Sequence, residues 1–179
     1  MILVNTVKNH EEHKKSLLKL IYEFEDLHDT KYEVLSTDFH LLGKVERPWM
    51  DYFYKEIVPD FESATAIKLD LNPCKWQIHE SWFQRYETDN THHWHNHGGC
   101  QFSNVYFLEM PNGNQTEILG MDGKLIEYDA KEGDIITFPA WMKHRSRPNK
   151  GEQKTVIAFN SSFYHGLENY SDFIARGKL

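Results

Sequence analysis

The sequence predicts a mainly β fold, a sandwich or barrel of short strands with helices packed against one side. Three observations predict it. Aromatic side chains make up 14% of the 179 residues, a share that suits a pleated interior. Helical periodicity is confined to residues 1–63, after which period-two runs and turn residues take over. A histidine-rich segment, His92-His93-Trp94-His95-Asn96-His97, is answered far downstream by a strand-like run that ends at His144.

Taken in order, Glu11 to Leu27 reads as a helix, because Leu17, Leu20, Ile21, Phe24 and Leu27 recur at three- and four-residue steps. A second helix starts at Pro48, runs through Trp49, Tyr52, Phe53 and Ile57, and stops at Pro59. Ala66 to Leu71 alternates apolar and polar residues and reads as a half-buried strand. Lys75 to Tyr86 is a longer strand, and Phe102 to Met110 another, closed by the turn chemistry of Pro111-Asn112-Gly113-Asn114. Asp122-Gly123 marks a two-residue hairpin between Met121 and Lys124. Ile135 to Phe138 and Thr155 to Phe159 complete the strands. The expected organisation is one domain over 1–179: a helical buttress at 1–63, a β core at 64–165 and a C-terminal tail at 166–179.

Bulk properties narrow the function. The formal net charge of -7 argues against nucleic acid and against an anionic membrane surface as partners. Cys74 and Cys100 are too sparse a pair to suggest a disulfide framework, and no apolar run is long enough to cross a bilayer. The expectation is a soluble cytoplasmic protein.

The chemistry lies in the histidines. If residues 91–97 are extended, His93, His95 and His97 share one face, while His92, Trp94 and Asn96 share the other. Same-face neighbours stand roughly 6–7 Å apart, close enough for two imidazoles to converge on one ion, whereas three in a row are too spread. One of the three must therefore serve another purpose. Gly98-Gly99 frees the backbone to curl at the end of this segment. Gly133 and Pro139 bracket the later strand, and His144 comes within short reach as a third imidazole.

Trp82, His92, His95-Asn96-His97, Ser103-Asn104-Val105-Tyr106-Phe107-Leu108 and Pro111 form the first part of a wider pattern. Gly133-Asp134, Phe138-Pro139-Ala140-Trp141, His144 and Lys154 to Asn160 form the second. Together they resemble the 2-oxoglutarate and iron(II) dependent oxygenase family of small bacterial and phage proteins, over roughly half the chain. The resemblance implies a double-stranded β-helix (a jelly-roll, cupin-like barrel) at 64–165. It implies an iron(II) held by His95, His97 and His144, and Lys154 where the family's arginine meets the distal carboxylate of 2-oxoglutarate. It also implies an oxygenase that hydroxylates a small-molecule or peptide substrate with dioxygen. His97 stands where the wider superfamily has an acid, so the third ligand is either this imidazole or a carboxylate such as Glu109 or Glu117. Lysine lacks the bidentate fork of arginine, which leaves room for Arg145 or Arg147 beside it. Gln84, Asn104 and Tyr106 are candidates to hydrogen-bond the cosubstrate, against the plainer reading of strand and core residues. The cluster Lys143, Arg145, Arg147 and Lys150 is a solvated loop or an attractor for an anion. His10, His13, His28, His40, His79 and His165 read as surface or core residues.

Two other readings compete. The spacing from Gly133 to His144 also resembles the second cupin motif, which implies a metal-dependent dioxygenase or isomerase without 2-oxoglutarate. A non-catalytic β-sandwich stapled by a metal is the third.

Overall fold

The computed structural model describes residues 1–24, 36–71, 74–111 and 115–165. Leu27, His28, the turn at 112–114 and the tail at 166–179 therefore lie outside the described residues. Strand β1 (Leu3–Thr6) is followed by α1 (His10–Glu23), β2 (Ser36–Thr37), a short 3-10 turn (Phe39–Leu41), α2 (Pro48–Glu56) and α3 (Val58–Lys68). Then come β3 (Cys74–Tyr86), β4 (His92–His95), β5 (Phe102–Glu109), β6 (Glu117–Ile118), β7 (Asp134–Pro139), β8 (His144–Ser146) and β9 (Lys154–His165). Six strands form one sheet in the order β1-β7-β5-β9-β3-β2, and β4-β8-β6 form a second. Every recorded strand pairing is antiparallel. The two antiparallel sheets make a jelly-roll, the double-stranded β-helix.

The large sheet has two buried faces, and the strand alternation sorts residues between them. Tyr106, Leu108, Ile135, Ile157 and Phe159 point outward against Leu17, Ile21, Trp49, Phe53 and Phe61 of the three helices. Val105, Phe107, Ile136, Phe138 and Val156 point inward, toward the small sheet, and pack with Ile118 and Met142. The helices thus cover one side of the sheet, as the sequence suggests, and leave the other side to the second sheet. The N-terminal region is more than a buttress, since β1 and β2 are the two edge strands of the large sheet.

Helix α1 buries Leu17 and Ile21, its periodic stripe. Pro48 occupies the first turn of α2, which buries Trp49 and Phe53. The helix expected from Pro48 does end just before Pro59, at Glu56, but Pro59 also opens a further helix: it sits in the first turn of α3, where its missing N–H costs nothing. That start carries helical backbone through Ala66 and Ile67, so the strand expected at 66–71 does not form. Ile67 is 77% exposed, while Phe61, one helical turn and a half earlier, meets the ring of Phe159 at 5.1 Å. The anchoring of Phe61 on the sheet outweighs a six-residue alternation.

The Asp-Gly hairpin is present, with a loop one residue longer than expected. Gly120 N–H donates to Lys124 O at 2.7 Å, and Gly123 N–H to Gly120 O at 3.0 Å. Gly123 has φ of 77°, as a turn closed by a left-handed glycine requires. Beneath the sheet's β2 edge, the buried Asp38 carboxylate accepts from Arg47 at 3.0 Å, Trp49 Nε1 at 2.9 Å and Phe83 N–H at 2.9 Å. This network fixes α2 to β3 and so sets the wall that carries Trp82.

Candidate metal centre and cosubstrate cavity

His95 and His144 are directly opposed in the β4–β8 ladder, which explains why residues so far apart in sequence meet. His97 lies just past β4, where its N–H donates to Ala140 O at 2.9 Å and Gly99 curls the chain at φ of 76°. One ring nitrogen from each of His95, His97 and His144 can be chosen so that all lie within 4.8 Å of one another. The ring centroids of His95 and His144 are 4.2 Å apart, and those of His97 and His144 5.1 Å.

Hydrogen bonding selects the tautomers. His144 Nδ1 meets Met142 O at 3.0 Å and His95 Nδ1 meets His93 O at 2.7 Å. A carbonyl only accepts, so both Nδ1 atoms carry the proton and both Nε2 atoms present a lone pair. His97 Nε2 is buried with no hydrogen-bond partner, an orphan that is costly unless something binds it. Burial is the largest force holding these rings neutral. It pushes His144 down to about 3 and His97 to about 4, with the neighbouring imidazoles adding repulsion, and it also lowers His95. Three neutral imidazoles with convergent free nitrogens fit a divalent ion of the iron or zinc kind.

His93, the remaining member of the expected face, is exposed and turned away. His92, expected on the opposite face, comes inward instead. An irregularity in register between His92 and His95 breaks the alternation, and their rings stack at 4.1 Å. Its Nδ1 accepts from Gln84 Nε2 at 3.1 Å, while Tyr86 hydroxyl donates to Gln84 Oε1 at 3.0 Å. Neither Glu109 nor Glu117 supplies a carboxylate. Glu109 accepts from Thr155 Oγ1 at 2.5 Å on the helix side, and Glu117 pairs with Arg145 at 2.7 Å and Arg147 at 3.5 Å. Those pairings also occupy the two arginines named as alternatives for the cosubstrate.

A narrow cavity, about 430 Å³ with the open solvent at its mouth included, extends from the three histidines between the sheets to Lys154. Lys154 is 1% exposed, donates to Ser146 Oγ at 3.0 Å, and stands 5.2 Å from the Tyr86 ring centroid. Burial, and then the nearby Arg147 guanidinium, push its amine down to about 7. No carboxylate among the residues lining this cavity pairs with it. Gln84 lines the cavity with its side chain engaged by His92 and Tyr86. Asn104 also lines it, but its amide donates to Phe159 O and Ser161 Oγ, both at 2.9 Å, and accepts from Thr137 Oγ1 at 2.8 Å. The side chain of Asn104 is thus consumed by the sheet. Tyr106 is the clear correction: it points to the helix face, where its hydroxyl meets His10 Nδ1 at 2.7 Å. Alternation on β5 puts Ser103 and Val105 inward and Tyr106 outward. Ser146 and Asn160 are the inward polar residues that sequence reasoning does not single out. The period-two series Lys154, Val156, Ala158, Asn160 is the available signal for the second.

Residues 80–160 match the model of the family described as "Putative 2OG-Fe(II) oxygenase". The match spans just under half of the chain, and it supports an oxygenase that uses iron(II) and 2-oxoglutarate over the cupin and accessory-protein alternatives. Similar solved structures include the viral collagen prolyl hydroxylase vCPH of Paramecium Bursaria Chlorella virus-1 in its 2OG complex. It has a TM-score of 0.61 and 14% identity, covering 89% of this chain and 94% of its own. The Trichoplax adhaerens prolyl hydroxylase in complex with a hypoxia inducible factor peptide fragment has a TM-score of 0.62 at 10% identity, covering 90% and 83%. HygX from Streptomyces hygroscopicus, with nickel and 2-oxoglutarate bound, has 0.62 at 10%, covering 90% and 82%. At such identities the likeness establishes the jelly-roll fold. A comparison with curated proteins found no match. Among the described residues, no helix is long and apolar enough to cross a membrane.

Proposed function

We propose that the protein hydroxylates a C–H bond of a small-molecule or peptide substrate. In this reading His95, His97 and His144 hold iron(II), and Lys154 receives the distal carboxylate of 2-oxoglutarate. The observation that carries it is the joining, within one cavity, of three imidazole nitrogens inside 4.8 Å and a buried lysine with no carboxylate among the described residues that line that cavity. Iron(II) with 2-oxoglutarate supplies activation of dioxygen: one oxygen atom goes to the substrate as hydroxyl, the other to succinate, and carbon dioxide leaves.

The residues of this chain perform the positioning. The backbone carbonyls of His93 and Met142 fix two of the ligand tautomers, so the nitrogens face inward before any metal arrives. Lys154 offers a charge that gains most when a carboxylate comes to it, since burial denies it water. Ser146 holds its Nζ, and the Tyr86–Gln84–His92 chain fixes the wall between Lys154 and the histidines. Gln84 therefore remains a candidate cosubstrate contact, whereas Tyr106 is dropped and Asn104 keeps only a backbone position. We also propose a cytoplasmic setting without nucleic-acid or membrane partners, on the sparse cysteines and the acidic charge.

The test is succinate release from 2-oxoglutarate with ferrous iron, together with calorimetric binding of 2-oxoglutarate. Release that disappears in His144→Ala supports the reading. No binding and no succinate, coupled or uncoupled, overturns it.

A further inference from the structure

Two adjoining chambers of different charge share His92, His95 and His97, with Trp82, Gln84 and Asn160, in their walls. The first, the cavity that reaches Lys154, has no carboxylate among its lining residues, and the Arg145 in its wall is already paired with Glu117. The second, about 730 Å³ including its open mouth, is reached from His95 and His97 on the other side. Its one formally charged lining residue is Glu80, an exposed carboxylate whose Oε2 accepts from Asn160 Nδ2 at 3.3 Å. Its walls are π faces and amides. Trp82 meets Phe39 edge-on at 5.1 Å and lies nearly parallel to the His97 ring, 15° apart at 5.7 Å. Asn96, Gln84 and Asn160 supply neutral polar groups.

Such a lining discriminates by charge. Aromatic faces and one carboxylate attract a cation and repel a second carboxylate. The net charge of -7 draws cations toward the molecule as a whole. A dianionic cosubstrate is therefore directed to the Lys154 side and excluded from the Glu80 side.

Resting on the proposed oxygenase function, we propose that the Glu80 chamber takes the substrate to be oxidised. The geometry points to a cation there, an alkyl ammonium or guanidinium compound whose charge pairs with Glu80 and whose chain runs along Trp82 toward the histidines. A free basic amino acid and a basic side chain in a peptide share this chemistry.

The experiment uses the full chain loaded with zinc(II) and saturating 2-oxoglutarate, so that nothing turns over, and reads binding by calorimetry. The probes are arginine, lysine and short amidated peptides containing either residue. Citrulline, norleucine and glutamate are the uncharged and acidic controls. Arginine or lysine, free or in a peptide, is expected to bind at least about tenfold more tightly than its uncharged counterpart, the worth of one charge-assisted hydrogen bond. The stronger of the free and peptide arms identifies the source. Glu80→Gln should erase the preference for cations, and Glu80→Lys should turn it toward glutamate. Equal binding of citrulline and arginine, no binding of any cation, or a preference that survives Glu80→Gln overturns the proposal. If wild-type chain binds 2-oxoglutarate in the same cell, that failure leaves the oxygenase reading standing. If 2-oxoglutarate does not bind at all, both fall.

Discussion

Replacing Lys154 by methionine tests the cosubstrate assignment most directly, because it should raise stability and remove binding together. The amine is buried, and its ordinary value of 10.5 falls to about 7 in the fold, mainly through desolvation. The folded state therefore binds fewer protons than the unfolded state between pH 7 and 10.5. Stability rises with pH across that window, and the full penalty applies below pH 7. At about 1.4 kcal/mol for each tenfold step, the penalty at low pH is on the order of 5 kcal/mol, less whatever the cavity water returns. Lys154→Met keeps the volume and removes the charge, so at about pH 6 the ligand-free variant should be more stable than wild type by roughly 1–4 kcal/mol. The advantage should shrink toward about pH 10, where wild type is also uncharged. Cosubstrate binding should move the other way. A carboxylate beside Nζ favours the ammonium, so wild type should take up close to one proton on binding 2-oxoglutarate at about pH 8. Affinity should fall with pH above about 7, at most about tenfold per pH step. Urea unfolding across roughly pH 6–10, and calorimetry of zinc-loaded protein in buffers of different ionisation enthalpy, measure both arms. Affinity that stays flat from about pH 6 to 9, or Lys154→Met that binds 2-oxoglutarate normally, would refute the reasoning.

The other expectations are simpler. Alanine at His95, His97 or His144 should lower bound metal from near one equivalent to a small fraction by elemental analysis after dialysis. His92→Ala should retain it, since that ring already serves Gln84. Tyr106→Phe should leave 2-oxoglutarate affinity unchanged by calorimetry and cost about 1 kcal/mol of stability in urea, the worth of its bond to His10. Gly133→Ala should destabilise by roughly 1–3 kcal/mol in the same assay, because Gly133 has φ of 90° and an added Cβ would lie 2.9 Å from His10 Cγ.

Most of the fold and the three histidines are legible in the sequence because periodicity and spacing are local signals. Leu17 and Ile21 announce a helix, while Gly133 and Pro139 frame a strand and place His144 close behind it. Ala66 to Leu71 misleads because a short alternation is weak, and the burial of Phe61 against Phe159 decides the local structure from a distance. Tyr106 misleads for a different reason. Its strand is evident, but which face of that strand meets the histidines depends on register with β7 and β9, and only the assembled sheet specifies it. His92 is hidden by an irregularity that a four-residue strand cannot advertise. Asn160 takes its meaning from Glu80 on the neighbouring strand and Ser146 from Lys154 in the other sheet, pairings with no local trace.

Strand β9 has a consequence for how this enzyme can fail. Its inward series carries Lys154 at one end and Asn160 at the other, while Thr155, Ile157 and Phe159 fill the opposite side. Slippage by a single residue would exchange the two sets, driving Phe159 into the reaction chamber and Lys154 among the helices. A chain trapped that way would still bury apolar surface yet would be chemically dead. Catalytic competence is thus a report on correct alignment during synthesis, and a partly inactive preparation is expected to contain misaligned protein as well as metal-depleted protein.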